Sequence, residues 1–292
     1  MAVSNFIPTV WSARILSNMQ KAQVFAGLCN REYEGEIKNE GDTVKIGGIG
    51  AVSVAAYTKN STSLTWATLT DATQSLLINQ SQYFAFKVDD VDSVQVNVNL
   101  IDEAMREAAY AVSDTIDAYV ASLYTQAATA NKLGADAGSA KTIGYGSGEL
   151  DPYKTLVNMG VLLSTANVPQ LGRWAVVPPW FAGMLRKSGS FVANPAGVTG
   201  QSMVNGFVTR VAGFDIYESN NVTNDAQTAK TWRIMLGTNQ AISLAVQRMP
   251  IMEAMRLEGS FSDGIRGLLL YGAKVVRPDA LSVLFAKEGA DA

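Results

Sequence analysis

The chain has 292 residues, of which 48% are hydrophobic and 17% charged, a composition that supports a sizeable buried core and lies outside the disordered class. A net charge of -3 and a pI near 5.1 give no support to a dedicated nucleic-acid binder, which would carry a clustered basic surface. With no histidine and a single cysteine, Cys29, the sequence excludes Ser-His-Asp and Cys-His nucleophilic sites, His-ligated zinc, imidazole acid–base catalysis and an intramolecular disulfide.

The opening residues Met1 to Trp11 lack a basic region followed by a long apolar core, so no secretory signal is expected. The longest apolar stretch, Trp174–Leu185, is too short to span a bilayer and holds Pro178 and Pro179, so the expectation is a cytoplasmic product with no membrane partner. An amphipathic helix is expected from about Val10 to Leu28, entered after Pro8 and carrying Trp11, Ile15, Leu16, Met19 and Val24. Cys29 follows it and reads as a small, partly buried side chain rather than a reactive thiol.

Residues 43–88 read as a long excursion of paired strands. Val44, Ile46, Val52 and Val54 lie on the outgoing arm, and Phe84, Phe86 and Val88 alternate on the return. Gly47, Gly48 and Gly50 lack the Gly-Lys-Ser/Thr ending of a phosphate loop, and are expected to permit tight turns or bulges in the ribbon. Between the arms, Thr58 to Ser75 is mostly Ser, Thr, Ala and Asn, with Leu64, Trp66 and Leu69 as its only large apolar side chains. That stretch buries too little apolar area to offset its ordering entropy, and an isolated two-stranded ribbon is marginal in water. The ribbon is therefore expected to lean on a neighbour.

A long helix follows from about Asp92 to Gln126, roughly 50 Å at 1.5 Å per residue, with Ile101, Met105, Ala108, Val112, Ile116, Tyr119 and Leu123 on one face. Asp89, Asp90 and Asp92 favour the positive end of its dipole; a divalent cation is the alternative, but an EF-hand glycine and distal glutamate are missing. A connection rich in Gly and Ala, Gly134 to Gly148, marks an internal boundary. After Asp151-Pro152 comes a second amphipathic helix with Leu156, Met159, Leu162 and Leu163. A strand at Trp174–Val177, a short helix at Trp180–Arg186, a loop from Ser188 to Gln201, and strands around a turn at Gly213 come next. Strand signals return at Ile234–Leu236, Ile242–Val246 and Leu268–Val276, with Ser262-Asp263-Gly264 expected to interrupt them. The fold class is α+β. Without histidine, catalysis would need carboxylates, and Glu149 with Asp151, or Glu253 with Glu258, are the pairs that could flank a glycosidic bond, a remote alternative.

Phe6-Ile7-Pro8-x-Val10-Trp11-Ser12, Val24-Phe25 and Asn30-Arg31-Glu32-Tyr33 before Gly41-Asp42-Thr43-Val44 together resemble the N-terminal region of tailed-bacteriophage major capsid proteins. Tyr83-Phe84-x-Phe86-x-Val88-Asp89-Asp90-Val91-Asp92 looks like their junction between extended loop and long helix. Asn167-Val168-Pro169 with Arg173 and Val176 to Pro179, and Gly213-Phe214-Asp215-Ile216-Tyr217-Glu218-Ser219-Asn220, are similar to stretches of their axial domain. Arg266-Gly267, Tyr271-Gly272-Ala273-Lys274-Val275 and Arg277-Pro278 close the pattern, which covers nearly the whole chain.

The resemblance implies a Hong Kong 97-type capsid fold: an N-terminal arm over 1–40, an extended β-hairpin loop over 41–88, a peripheral domain with a spine helix over 89–131 plus 239–292, and an axial domain over 132–238. It implies a non-enzymatic subunit that assembles with itself into hexamers and pentamers around double-stranded DNA, together with scaffold, portal and decoration proteins, made in the host cytoplasm and located in the virion. No cofactor or metal is implied. The loop would lie across an adjacent subunit, covering its strand edges and Trp66, with Leu64 and Leu69 beside it. Trp11 and Phe25 would dock scaffold peptides, or cargo peptides in the rival reading of an encapsulin compartment shell. Lys59 matches the loop lysine that some relatives join to a neighbour's asparagine, but Asn239 is the last asparagine here, so no such cross-link is expected.

Overall fold

The computed structural model describes residues 23–33, 43–49, 56, 59, 71–89, 100–135, 138–187, 207–225, 230–248, 253–256, 259 and 262–289. The first element is a single helical turn, α1 (Phe25–Leu28); residues 10–22 of the expected first helix lie outside the described residues. Strands β1 (Thr43–Ile49) and β2 (Asp71–Leu77) pair antiparallel with each other, from Thr43 opposite Leu77 to Ile49 opposite Asp71. The ribbon is therefore present, but its return arm is β2 and not the Phe84 to Val88 segment. That segment forms β3 (Gln80–Asp89), which pairs elsewhere. Gly47 and Gly48 hold regular places opposite Thr73 and Ala72, so they introduce no bulge in β1.

Helix α2 (Leu100–Ser122) continues through a 3-10 turn over Leu123–Gln126, and its 23 residues span about 35 Å. The expected start at Asp92 lies outside the described residues. Helix α3 (Pro152–Thr165) begins where the sequence places it. The Asp151 carboxylate accepts from the Tyr153 and Lys154 amides at 2.8 and 3.1 Å, and Pro152 occupies the first turn where a missing N–H costs nothing. The chain leaves α3 through Asn167 in the left-handed region, a common helix stop. Helix α4 (Pro179–Lys187) follows the strand at Arg173–Val177.

Two larger sheets complete the framework. A mixed seven-stranded sheet runs in the order β4 (Lys132–Leu133), β13 (Leu281–Glu288), β9 (Trp232–Thr238), β6 (Arg173–Val177), β8 (Phe214–Glu218), β7 (Phe207–Val211), with β5 (Lys141–Ile143) also on β13. The β7–β8 turn holds Ala212 and Gly213 both at positive φ, the backbone that a tight hairpin of native twist requires. All five residues of β6 are buried, so both faces of the sheet are covered there, as the apolar run Trp174–Val177 anticipates.

A four-stranded sheet joins β10 (Ile242–Arg248), β12 (Ser262–Val275) and β11 (Glu253–Arg256), with β3 along the length of β12. Ser262-Asp263-Gly264 does not interrupt β12: Ser262 lies opposite Asp89 and Asp263 opposite Val88, because pairing with β3 satisfies the backbone that the local sequence leaves weak. Residues 239–292 are thus divided between the sheets, β13 going to the seven-stranded one. One core spans both. Tyr119 of α2 meets Tyr271 of β12 edge-on at 5.5 Å, and Tyr124 just beyond α2 meets Phe285 of β13 at 6.2 Å. The α2 end therefore ties the sheets together, aided by the Gln126 side chain, which accepts from the Val275 amide at 3.2 Å.

Candidate assembly surface

Residues alternate across β12. Leu269, Tyr271, Ala273 and Val275 face the core, whereas Gly272 and Lys274 face the other way. The root of the β1–β2 ribbon rests on that second face. Leu76 of β2 is fully buried against Ala245 of β10, the residue paired with Gly272, and Tyr33, Ile46 and Ile78 close around them. The Lys274 ammonium donates to the Ser75 carbonyl at 2.9 Å. Among the described residues β1 and β2 hydrogen-bond as a sheet only with each other, so beyond this root the ribbon has no third strand.

Further along the same sheet an apolar patch is exposed. Tyr83 of β3 is 79% exposed and lies directly opposite Leu268 of β12; with Phe84, Glu253 and Arg266 they line a shallow cavity of about 500 Å³. Arg266 pairs with Glu253 across β11–β12, its guanidinium Nε and Nη2 donating at 3.0 and 2.8 Å. A large exposed tyrosine beside a leucine, rimmed by charge, is a surface suited to covering by another protein.

A second node fixes the N-terminal segment. Asp117 of α2 is fully buried and accepts from the Ala26 amide at 3.1 Å and from the Asn221 side chain at 3.0 Å; Asn221 also donates to Asp114 at 2.7 Å. Burial raises the Asp117 carboxyl above its usual range, opposed by the α1 amides and Asn221. The Asn30 amide donates to Ile242 and its carbonyl accepts from Leu244, each at 2.9 Å, so residues 25–30 are stitched to both α2 and β10.

Of the expected contact residues, Lys59 lies exposed in a turn, while Trp11, Leu64, Trp66 and Leu69 lie outside the described residues. Phe25 requires a correction. Its ring is 1% exposed within its own chain's core, which leaves no face for a docking peptide. The carboxylates considered for catalysis have structural partners: Asp151 caps α3, Glu149 accepts from the Gly146 amide at 2.9 Å, and Glu253 pairs with Arg266. Glu258 lies outside the described residues, as do Asp90 and Asp92. Among the described residues, no group of three or more His, Cys, Asp or Glu is placed to hold a metal, and no helix is long and apolar enough to cross a membrane. Sequence reasoning missed Leu76, Lys274 and the Asp117–Asn221 node. Leu76 follows a polar run, and nothing local marks its burial.

This arrangement of a body built from two sheets and a long helix, with a projecting ribbon, has known counterparts. A family model described as phage capsid protein matches residues 73–284. The chain belongs to the phage capsid protein family, and its class is that of a major capsid shell protein. It is similar to a solved structure titled Mycobacterium phage Che8, at 30% identity over 97% of this chain and 98% of that one, with a TM-score of 0.71. The capsid structure of the cyanophage P-SCSP1u is 19% identical, covers 98% of this chain and 94% of that chain, and has a TM-score of 0.74. The capsid of Ralstonia phage GP4 shares the fold at 10% identity and a TM-score of 0.73, covering 100% and 98% of the two chains. A search of curated proteins returns no match.

Proposed function

We propose that this subunit assembles with copies of itself, as hexamers and pentamers, into the closed icosahedral head shell of a tailed phage, and that it performs no catalysis. The observation that carries this reading is the β1–β2 ribbon, anchored at its root on β10 and β12 but with no third strand among the described residues. A two-stranded ribbon gains stability from a surface to lie on, and a second copy of the chain supplies one in every capsomer. The exposed Tyr83–Leu268 patch is a candidate for part of that surface.

In this reading residues 1–40 form the arm and 41–88 the loop. Residues 89–131 with 239–292 form the periphery, and 132–238 the axial part. The interior face contacts double-stranded DNA through scattered Lys and Arg without reading bases. Scaffold and portal proteins, and synthesis in the host cytoplasm, belong to the same reading. Many weak interfaces closed by symmetry would make the shell far more stable than any single contact. Expression of the full chain, followed by size-exclusion chromatography and negative-stain electron microscopy, should yield closed shells. A compact monomer at every concentration and salt would overturn the proposal.

A further inference from the structure

The ribbon is fixed to the body over three consecutive residues, each with its own anchor on one sheet face. Ser75 receives the Lys274 ammonium, Leu76 is buried against Ala245, and the Leu77 backbone passes directly over Gly272. A Cβ added at Gly272 would fall inside contact distance of the Leu77 carbonyl oxygen and 3.0 Å from the Ile78 Cα. Both obstructions are backbone, so neither can rotate aside, and the ribbon root itself would have to move. At Gly183 in α4, by contrast, an added Cβ would meet nothing within 4 Å.

We infer that Gly272 and Lys274 are positioning residues for assembly, setting the angle at which the ribbon leaves the body toward a second copy of the chain. The inference rests on the shell reading above. Interfaces discriminate displacements on the scale of an ångström because their surfaces are close-packed. The seven residues of β1 alone extend about 23 Å from the root, so a tilt there is magnified along the ribbon. Because each subunit repeats the error, the loss is multiplied over the shell.

The test compares the wild-type full chain with Gly272→Ala, Lys274→Met and Gly183→Ala, reading thermal unfolding of the unassembled subunit and the yield and shape of particles by electron microscopy. Gly272→Ala should reduce closed shells roughly tenfold in favour of open or irregular particles, and Lys274→Met, which adds no bulk, should reduce them several-fold. Gly183→Ala should assemble as wild type. Wild-type yields from both root variants, or an equal loss from Gly183→Ala, would overturn the inference. If Gly272→Ala fails to fold, Lys274→Met decides alone: fewer shells with unchanged subunit melting supports the inference, and unchanged shells overturns it. A wild-type chain that forms no shells would instead remove the shell reading, and the inference with it, a distinguishable result.

Discussion

Two groups near the N-terminal segment are held toward their protonated forms by burial. Burial pushes the Cys29 thiol from 9.0 up to about 12, with Arg31 opposing, and its sulfur donates to the Phe25 carbonyl at 3.2 Å. The thiolate is the reactive form, so Cys29 should resist iodoacetamide in the native subunit at pH 8 and react fully once denatured; rapid native labelling would contradict this. Asp117 is the more consequential group. Its folded pKa is raised above 3.8, so its contribution to stability is fully present below pH 3.8 and is lost as pH rises through the folded value. The stability of wild type relative to Asp117→Asn should therefore decline from pH 3.5 toward neutrality in denaturant titrations. A flat difference would show that the buried carboxylate titrates as it does when unfolded. The partial burial of Cys29 was legible from sequence, as a small residue after an apolar run. The buried aspartate was not, because its partners, Ala26 and Asn221, lie 91 and 104 residues away.

Elements with strong local signals were read well. Helix α3 has its aspartate cap, proline start and apolar stripe within one short segment, and the Asp151 cap is worth about 1 kcal/mol. Asp151→Ala should lower subunit stability by about that amount, measured as a shift in urea midpoint at constant slope, whereas Asp151→Asn should be nearly neutral. Strands were harder to read where long-range pairing chooses among equal candidates. Phe84, Phe86 and Val88 alternate as cleanly as any hairpin arm, yet β3 pairs with β12, some 180 positions on, while the plainer Asp71–Leu77 run takes the place beside β1. Likewise Ser262-Asp263-Gly264 reads locally as a break and is continuous strand, since tertiary pairing overrides strand propensity.

At the scale of the molecule, the fold class and the family could be read from ordered short motifs, but the ribbon's anchor could not. Its parts are Leu76, Ala245, Gly272 and Lys274, which no local pattern groups together. A glycine within a strand run is the one hint that another backbone passes close by. In the shell reading a partner covers Trp66, so Trp66→Ala should leave subunit melting within a few degrees of wild type while lowering shell yield. Shells that do form should run as single monomer bands on denaturing gels, since residues 240–292 hold no asparagine to receive Lys59; a ladder of covalent oligomers would refute this. Finally, β13 lies inside the seven-stranded sheet, bonded to β9 on one side and to β4 and β5 on the other. Translation proceeds at roughly 5 to 20 residues per second. The ribosome must therefore deliver residue 288 before that sheet can close, and each nascent subunit waits on the order of seconds with an open seam. Until β13 arrives, the edge of β9 that it pairs with is unsatisfied and open to mispairing with another chain.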